Sequence, residues 1–167
     1  MLRQRLIDTL RLKALPRAGW VRVGVEAPES VAAHSWGVAW LALNLCPPEL
    51  DREKALAIAL VHDLAEVVVG DITPHDPIAA EDKQTAELEA FTELVRPLER
   101  AGELRRLMRE YLQDQSAEAR FVKACDKLDM ALQAALYQAE QGLDLQEFVD
   151  SALSRLEDSE LARLARP

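Results

Sequence analysis

The stretch IALVHDLAEVVVGDIT, residues 58–73, constrains this chain more than any other. Leu60, Val61, Leu64, Val67 and Val68 recur at helical spacing and predict a helix buried over most of its circumference. Set into it are a His-Asp pair, His62 and Asp63, and then Glu66, four residues after the histidine. An imidazole and two carboxylates are costly in apolar surroundings unless they are paired or bound to a cation. Residues four apart share one helix face, so His62 and Glu66 address one cavity. Asp63, rotated by about 100°, reaches it from the edge. Gly70 breaks the helix, and Asp71, Ile72, Thr73 and Pro74 open a turn-rich loop. The run reads as part of a metal site, and the rest of the chain has to supply the missing ligands.

The remaining chain reads as helix. Residues 2–14 carry a short apolar stripe, closed by Pro16, that suits plain packing better than a membrane surface. Residues 17–30 read as a loop. In it Trp20 is either a hydrophobic plug or the wall of a ligand pocket, with the plug favoured. Arg17 and Arg22 are solvated charges unless one of them faces an anion. Ser30 is placed to cap VAAHSWGVAWLALNL, which is apolar nearly all round and predicts a central buried helix with His34 one turn in. A lone histidine there is a core residue, but a His-Asp pair on the next helix, which Asp51 caps, makes it a ligand candidate.

Asp71 beside Gly70 caps a turn or faces the site, and His75, between prolines, belongs to solvent or the pocket rim. A charged helix over residues 79–100 ends near Pro97, and a short one follows over 103–113. From Ser116 a long helix shows a stripe of Phe121, Val122, Cys125, Leu128, Met130, Leu132 and Leu136. Asp126 and Asp129 lie three apart on it, so either can point at the site. A last amphipathic helix covers 144–165. The expected fold is all-α: one domain over residues 1–167, with six or seven helices around a buried metal site.

Composition removes several function classes. A formal charge of −9 argues against a nucleic-acid polymer as partner, because phosphate backbones are held by clustered Lys and Arg. It leaves open a small anionic substrate, whose local field a bound divalent ion would dominate. No apolar run approaches the roughly 18 residues needed to span a membrane. Cys46 and Cys125 are too few for a disulfide framework and read as buried, reduced thiols of a cytoplasmic protein.

The order His34, His62-Asp63, Asp126 over three buried helices resembles the HD-domain phosphohydrolase superfamily. The stretches LPRAGWV, PESVAAHS, ALVHDLAEVVVGDITP and SAEARFVKACDKLD resemble its 5′-deoxynucleotidase branch, over about residues 12–137. The resemblance implies one divalent metal, Mn²⁺, Co²⁺ or Mg²⁺, on His34, His62, Asp63 and Asp126. It further implies a second cation on Glu66, Asp71 and the Ile72 carbonyl, and Glu66 as the catalytic residue. Arg17, Trp20, Asp71, Ile72, Thr73 and Pro74 would then contact a small nucleotide substrate, although Ala18-Gly19 separates an Arg and a Trp that are adjacent in some relatives. A homodimer is implied as well. The set contains no thiolate, and imidazole with carboxylate suits a hard-to-borderline ion with open positions better than a structural zinc site. The rival readings are another nucleotide phosphohydrolase of the same superfamily and a non-enzymatic helical scaffold that keeps metal for stability.

Overall fold

The computed structural model describes residues 2–156 and 160–166. In order these form α1 (Leu2–Leu10), a 3₁₀ turn (Arg11–Ala14), α2 (Ala18–Arg22), α3 (Val31–Leu45), α4 (Arg52–Val61) and α5 (Glu66–Val69). They continue as α6 (Ala80–Val95), α7 (Ala101–Leu112), α8 (Ala117–Gln141), α9 (Gln146–Leu156) and α10 (Glu160–Ala165). The described residues contain no strand, only an isolated bridge between Pro16 and Ser30. The fold is all-α as expected, and no described helix is long and apolar enough to cross a membrane.

The helix starts follow local chemistry. Ser30 Oγ accepts from the Ala33 amide at 3.1 Å, Asp51 Oδ1 from Lys54 at 3.1 Å, and Ser116 Oγ from Ala119 at 3.2 Å. Each such cap satisfies an otherwise orphaned donor and stabilises its helix by about 1 kcal/mol. These caps fix the starts of α3, α4 and α8, which carry the histidines and aspartates of interest.

α8, 25 residues long, is the rod around which the rest is arranged. On one side it packs against α3, α4 and α7, where Val38, Ala42, Ile58, Phe91, Met108, Val122 and Cys125 form the main core. On the other it packs against α9 and α10, with Trp20, Tyr137, Leu145 and Val149 closing a second cluster. The first turn of α3, the C-terminal end of α4 and the middle of α8 bring His34, His62 and Asp126 together between these clusters, and the site lies there.

Several expectations are corrected. The longer segments α1, α3, α4, α6, α7, α8 and α9 supply the six or seven helices expected, while α2, α5 and α10 are additional short ones. Residues 17–30 are not wholly loop, since α2 lies within them. The helix carrying the His-Asp pair stops at Val61, and its circumference is only partly covered: Leu60 and Val68 are exposed. In α3 the Trp36 and Trp40 side chains stack in solvent with rings 5° from parallel, so this helix is buried on one face only. α1 buries none of its residues. The buried stripe of α8 runs through Ala119, Ala131, Ala134 and Tyr137 as well as Val122, Cys125 and Leu128, leaving Leu132 and Leu136 exposed. Small residues sit where neighbouring helices approach closely. Cys125 is buried but Cys46 only half so, and both thiols are free. The helix expected over 144–165 is described as α9 and α10, with 157–159 outside the described residues.

Candidate metal centre

His34 projects from α3 against α8. Its Nδ1 lies 2.7 Å from Asp129 Oδ2, so an Nδ1–H donates there and Nε2 carries the lone pair. His62, the residue after α4, sets its Nδ1 2.8 Å from the Ala59 carbonyl oxygen, which dictates the same tautomer. The two Nε2 atoms are buried and have no hydrogen-bond partner. Around them stand carboxylate oxygens. Asp63 Oδ2 is 3.2 Å from His62 Nε2 and 3.5 Å from His34 Nε2, and Asp126 Oδ1 is 3.1 Å from His34 Nε2. Ligand atoms of His34, His62 and Asp63 all fall within 4.8 Å of one another.

Lone pairs and carboxylates facing one another repel unless positive charge stands between them. Burial and Arg17 lower the His34 pKa, yet Asp126 and Asp129 overcome both and push it up to about 9. The cluster favours positive charge, which a proton on His34 or a bound cation supplies. Two neutral imidazoles and two carboxylates are the donors a divalent ion takes, so the residues present fit one.

The close approach of Asp129 depends on Gly37. A Cβ on Gly37 would stand 2.1 Å from Asp129 Oδ1 and 3.0 Å from its Cγ. Glycine at this position of α3 is what lets the carboxylate reach the back of His34.

Beyond His62 the winding tightens. The Leu64 amide donates to Val61 and the Glu66 amide to Asp63, both at 3.0 Å, which are i→i+3 bonds. At three residues per turn Asp63 and Glu66 share a face, so Glu66 enters the cavity beside Asp63. The expected continuous helix with a simple i,i+4 relation of His62 and Glu66 is replaced by this turn. Glu66 is buried, and its Oε2 has no partner. Burial, compounded by Asp63 and Asp71, pushes its carboxyl up to about 10. Gly70, at φ 80° and ψ 167°, then turns the chain out of α5 in a backbone region that side chains avoid.

That turn delivers Asp71 to the start of α2, where its Oδ2 accepts from the Ala18 amide at 2.8 Å. Asp71 therefore both caps and faces the site. Arg17 Nη1 lies 3.7 Å from Asp63 Oδ2 and 3.7 Å from Asp71 Oδ2. Burial works against the Arg17 charge, but Asp63, Asp71 and Asp126 outweigh it and hold its pKa above the ordinary guanidinium value. In return His62, His34 and Arg17 hold Asp63 well below the usual carboxylate range despite burial. Lys127 Nζ, 2.9 Å from Asp126 Oδ2, does the same for Asp126 together with His34.

Of these groups Arg17, His62, Asp63, Glu66, Asp71 and Asp126 line a cavity of about 1000 Å³. Every residue expected to touch substrate borders it: Arg17, Trp20, Asp71, Ile72, Thr73 and Pro74. Trp20 turns out to be both plug and wall. It is 2% exposed, its indole N–H donates to Glu29 Oε1 at 3.0 Å, and it packs edge-on to Tyr137 and against Phe148. Thr73 is tied back through its amide and hydroxyl to Asp76 Oδ2, and His75 stays exposed at the rim. Arg22 pairs with Glu147 at the edge of the cavity. The Ile72 carbonyl accepts from Lys83 Nζ at 2.6 Å.

Sequence reasoning missed the contributions of Lys83, Glu87 and Tyr111, which line the same cavity from α6 and α7. Charges on a helix as acidic as α6 read as a solvated face, and no local signal marks these two as inward. Asp129 was visible only as an alternative to Asp126, whereas the structure uses both, on opposite nitrogens of one imidazole.

An HD-domain family model matches residues 9–163. The human 5′-deoxynucleotidase HDDC2 is 39% identical over 158 residues, covering 92% of this chain and 78% of that protein. The 5′-deoxynucleotidase hdd1 of Schizosaccharomyces pombe is 40% identical over 134 residues, covering 77% of this chain and 68% of that protein. Among solved structures, a protein of Pyrococcus horikoshii superposes with a TM-score of 0.78 at 38% identity, over 98% of this chain and 99% of that one. A predicted metal-dependent phosphohydrolase of Magnetospirillum magnetotacticum gives a TM-score of 0.74 at 26% identity, over 99% of this chain and 87% of that one. With its His-Asp pair at the meeting point of three helices and the family model matched over most of its length, this chain belongs to the HD-domain family.

Proposed function

We propose that this chain, read as one domain over residues 1–167, is a metal-dependent 5′-deoxynucleotidase, a phosphoric monoester hydrolase. It would cleave 2′-deoxynucleoside 5′-monophosphates to deoxynucleoside and phosphate. The observation that carries the reading is the convergence of ligand atoms of His34, His62 and Asp63 within 4.8 Å, with Asp126 against His34, beside a large open cavity. Relatives that bear the name 5′-deoxynucleotidase, at 35–42% identity, support it. A closed structural metal site needs neither such a cavity nor an unpartnered Glu66 beside it.

His34, His62, Asp63 and Asp126 would hold one divalent ion, with Mn²⁺, Co²⁺ and Mg²⁺ suiting the donors. Lewis-acid polarisation of a phosphoryl oxygen is the chemistry that such an ion would supply when bound there. The Arg17 guanidinium, fixed between Asp63 and Asp71, orients the phosphate at the cavity wall. Glu66 moves a proton at Oε2, the oxygen with no competing partner. Asp71 holds the Asp71–Pro74 segment to α2 through the Ala18 amide, so the segment and the Trp20 edge form a rigid wall where the sugar would lie. A rigid wall can reject an added 2′-hydroxyl that an open apolar pocket would admit.

The same reading takes the enzyme as a cytoplasmic homodimer, for which the exposed Trp36, Trp40 and Leu43 of α3 offer an apolar surface. Phosphate release from dAMP and AMP, by the Mn²⁺- or Co²⁺-loaded protein and the stripped protein, tests the function. Turnover of dAMP well above AMP, lost on stripping, is expected. Equal rates remove the deoxy assignment, and release from neither removes the nucleotidase.

A further inference from the structure

Beside the metal centre, Asp71 and the Ile72 carbonyl are already supplied with positive charge by the chain itself. Glu66, Asp71 and the Ile72 carbonyl form the group on which a second cation was expected. Asp71 Oδ2 is occupied by the Ala18 amide at 2.8 Å, and Arg17 Nη1 stands 3.7 Å away. The Ile72 carbonyl receives the Lys83 ammonium at 2.6 Å. Lys83 reaches it from the first turn of α6 and is steadied there by Glu87 Oε1 at 3.6 Å, a carboxylate that is itself buried.

No described group of acidic or histidine ligand atoms gathers around Glu66 and Asp71 as His34, His62 and Asp63 gather. A metal ion seated on the Ile72 oxygen would face the Lys83 ammonium across that single atom, like charge against like charge. The residues present therefore suit one ion and do not suit two.

We propose that Lys83 is a built-in cation: its ammonium, with the Arg17 guanidinium, takes the place of a second metal ion, and the protein holds one divalent ion per chain. The inference rests on the metal centre proposed above. It makes Lys83 a positioning residue: it sets a fixed positive charge near Glu66 and fastens the Ile72 segment of the cavity wall to α6. A lysine is suited to this because its ammonium is a compact charge with three donors on a flexible stem. Unlike an ion in exchange with solvent, it remains when the metal is stripped.

Mn²⁺ titration of the metal-free full chain, followed by calorimetry and by electron paramagnetic resonance, tests this without any activity readout. The wild-type protein is expected to bind one Mn²⁺ per chain and to show the six-line signal of an isolated ion. Lys83→Ala opens the carbonyl and removes the charge. It should bind a second Mn²⁺ and show the exchange-coupled multiline signal of a pair, whereas Lys83→Arg, which keeps the charge, should bind one. Two ions in the wild-type protein overturn the inference, as does a folded Lys83→Ala that still binds only one. No bound ion in the wild-type protein removes the metal centre itself and the inference with it, which separates the two failures.

Discussion

Asp129 touches His34 and not the expected ion, so its removal measures how strongly the back of an imidazole governs the front. In Asp129→Asn the amide oxygen can still accept from His34 Nδ1, across a contact that is 2.7 Å in the native protein. The tautomer survives and only the charge assistance is lost. Hydrogen bonds to charged groups contribute about 1.5–3 kcal/mol against about 1 kcal/mol for neutral ones. The difference corresponds to roughly tenfold in metal affinity at about 1.4 kcal/mol per decade. Asp129→Ala leaves the Nδ1–H unpaired and the ring free to turn. The loss should approach the hundredfold end of the range of about 10–100-fold known for such partners.

Gly37→Ala provides an independent route to the same lesion, since its Cβ would stand 2.1 Å from Asp129 Oδ1 and must displace the carboxylate. It should cost about as much as Asp129→Ala. Combined with Asp129→Ala it should cost almost nothing more, because the clash is gone. Competition of Mn²⁺ with a fluorescent chelator, at fixed pH, reads all four affinities. If Gly37→Ala weakens binding equally in the presence and absence of Asp129, the two residues do not act through one contact and the argument fails.

Three further outcomes follow from the site. Asp126→Ala should abolish tight metal binding and not merely weaken it; unchanged metal content by elemental analysis would remove Asp126 from the ligand set. Glu66→Gln preserves shape and should keep the fold and the metal while turnover falls by about 10²–10⁴; phosphate release at the native rate would exclude a proton-transfer role. Trp20→Ala deletes a 2%-exposed ring between Tyr137 and Phe148 and should lower unfolding free energy by about 3–5 kcal/mol, read by urea denaturation, and also narrow the deoxy-over-ribo ratio. A destabilisation below about 1 kcal/mol would mean that its packing is not what holds α2 in place.

Helices and caps were legible because their causes are local. Ser30, Asp51 and Ser116 cap within three residues of themselves, and Gly70 and Gly142 end their helices through their own backbone angles. The cluster of His34, His62 and Asp63 was legible because imidazole and carboxylate in an apolar run are conspicuous. What escaped depends on tertiary geometry. Nothing near Val61 announces that the helix gives way to i→i+3 bonds, and only that change aligns Glu66 with Asp63. The exposed faces of α3 and α8 escaped because hydropathy reports what a residue prefers and not which neighbours are there to cover it. Trp36 and Trp40 stack only on each other among the described residues and stay exposed. Lys83 escaped because an ammonium four residues before a glutamate, on a charged helix, reads as ordinary surface pairing.

The sequence distances spanned by these contacts bear on how the molecule comes into being. His34 meets Asp129 across 95 positions, the Glu29 amide meets the Tyr137 hydroxyl across 108, and Arg22 meets Glu147 across 125. Closing loops of that length is entropically slow, and it precedes any reward from the contacts. During synthesis His34 emerges long before Asp126 and Asp129 of α8, so for most of that time it lacks both of them. A chain cut short before α8 keeps the His-Asp signature in full and lacks the means to assemble it. Assembly of the His34–Asp126–Asp129 contacts thus reports on completion of the bundle.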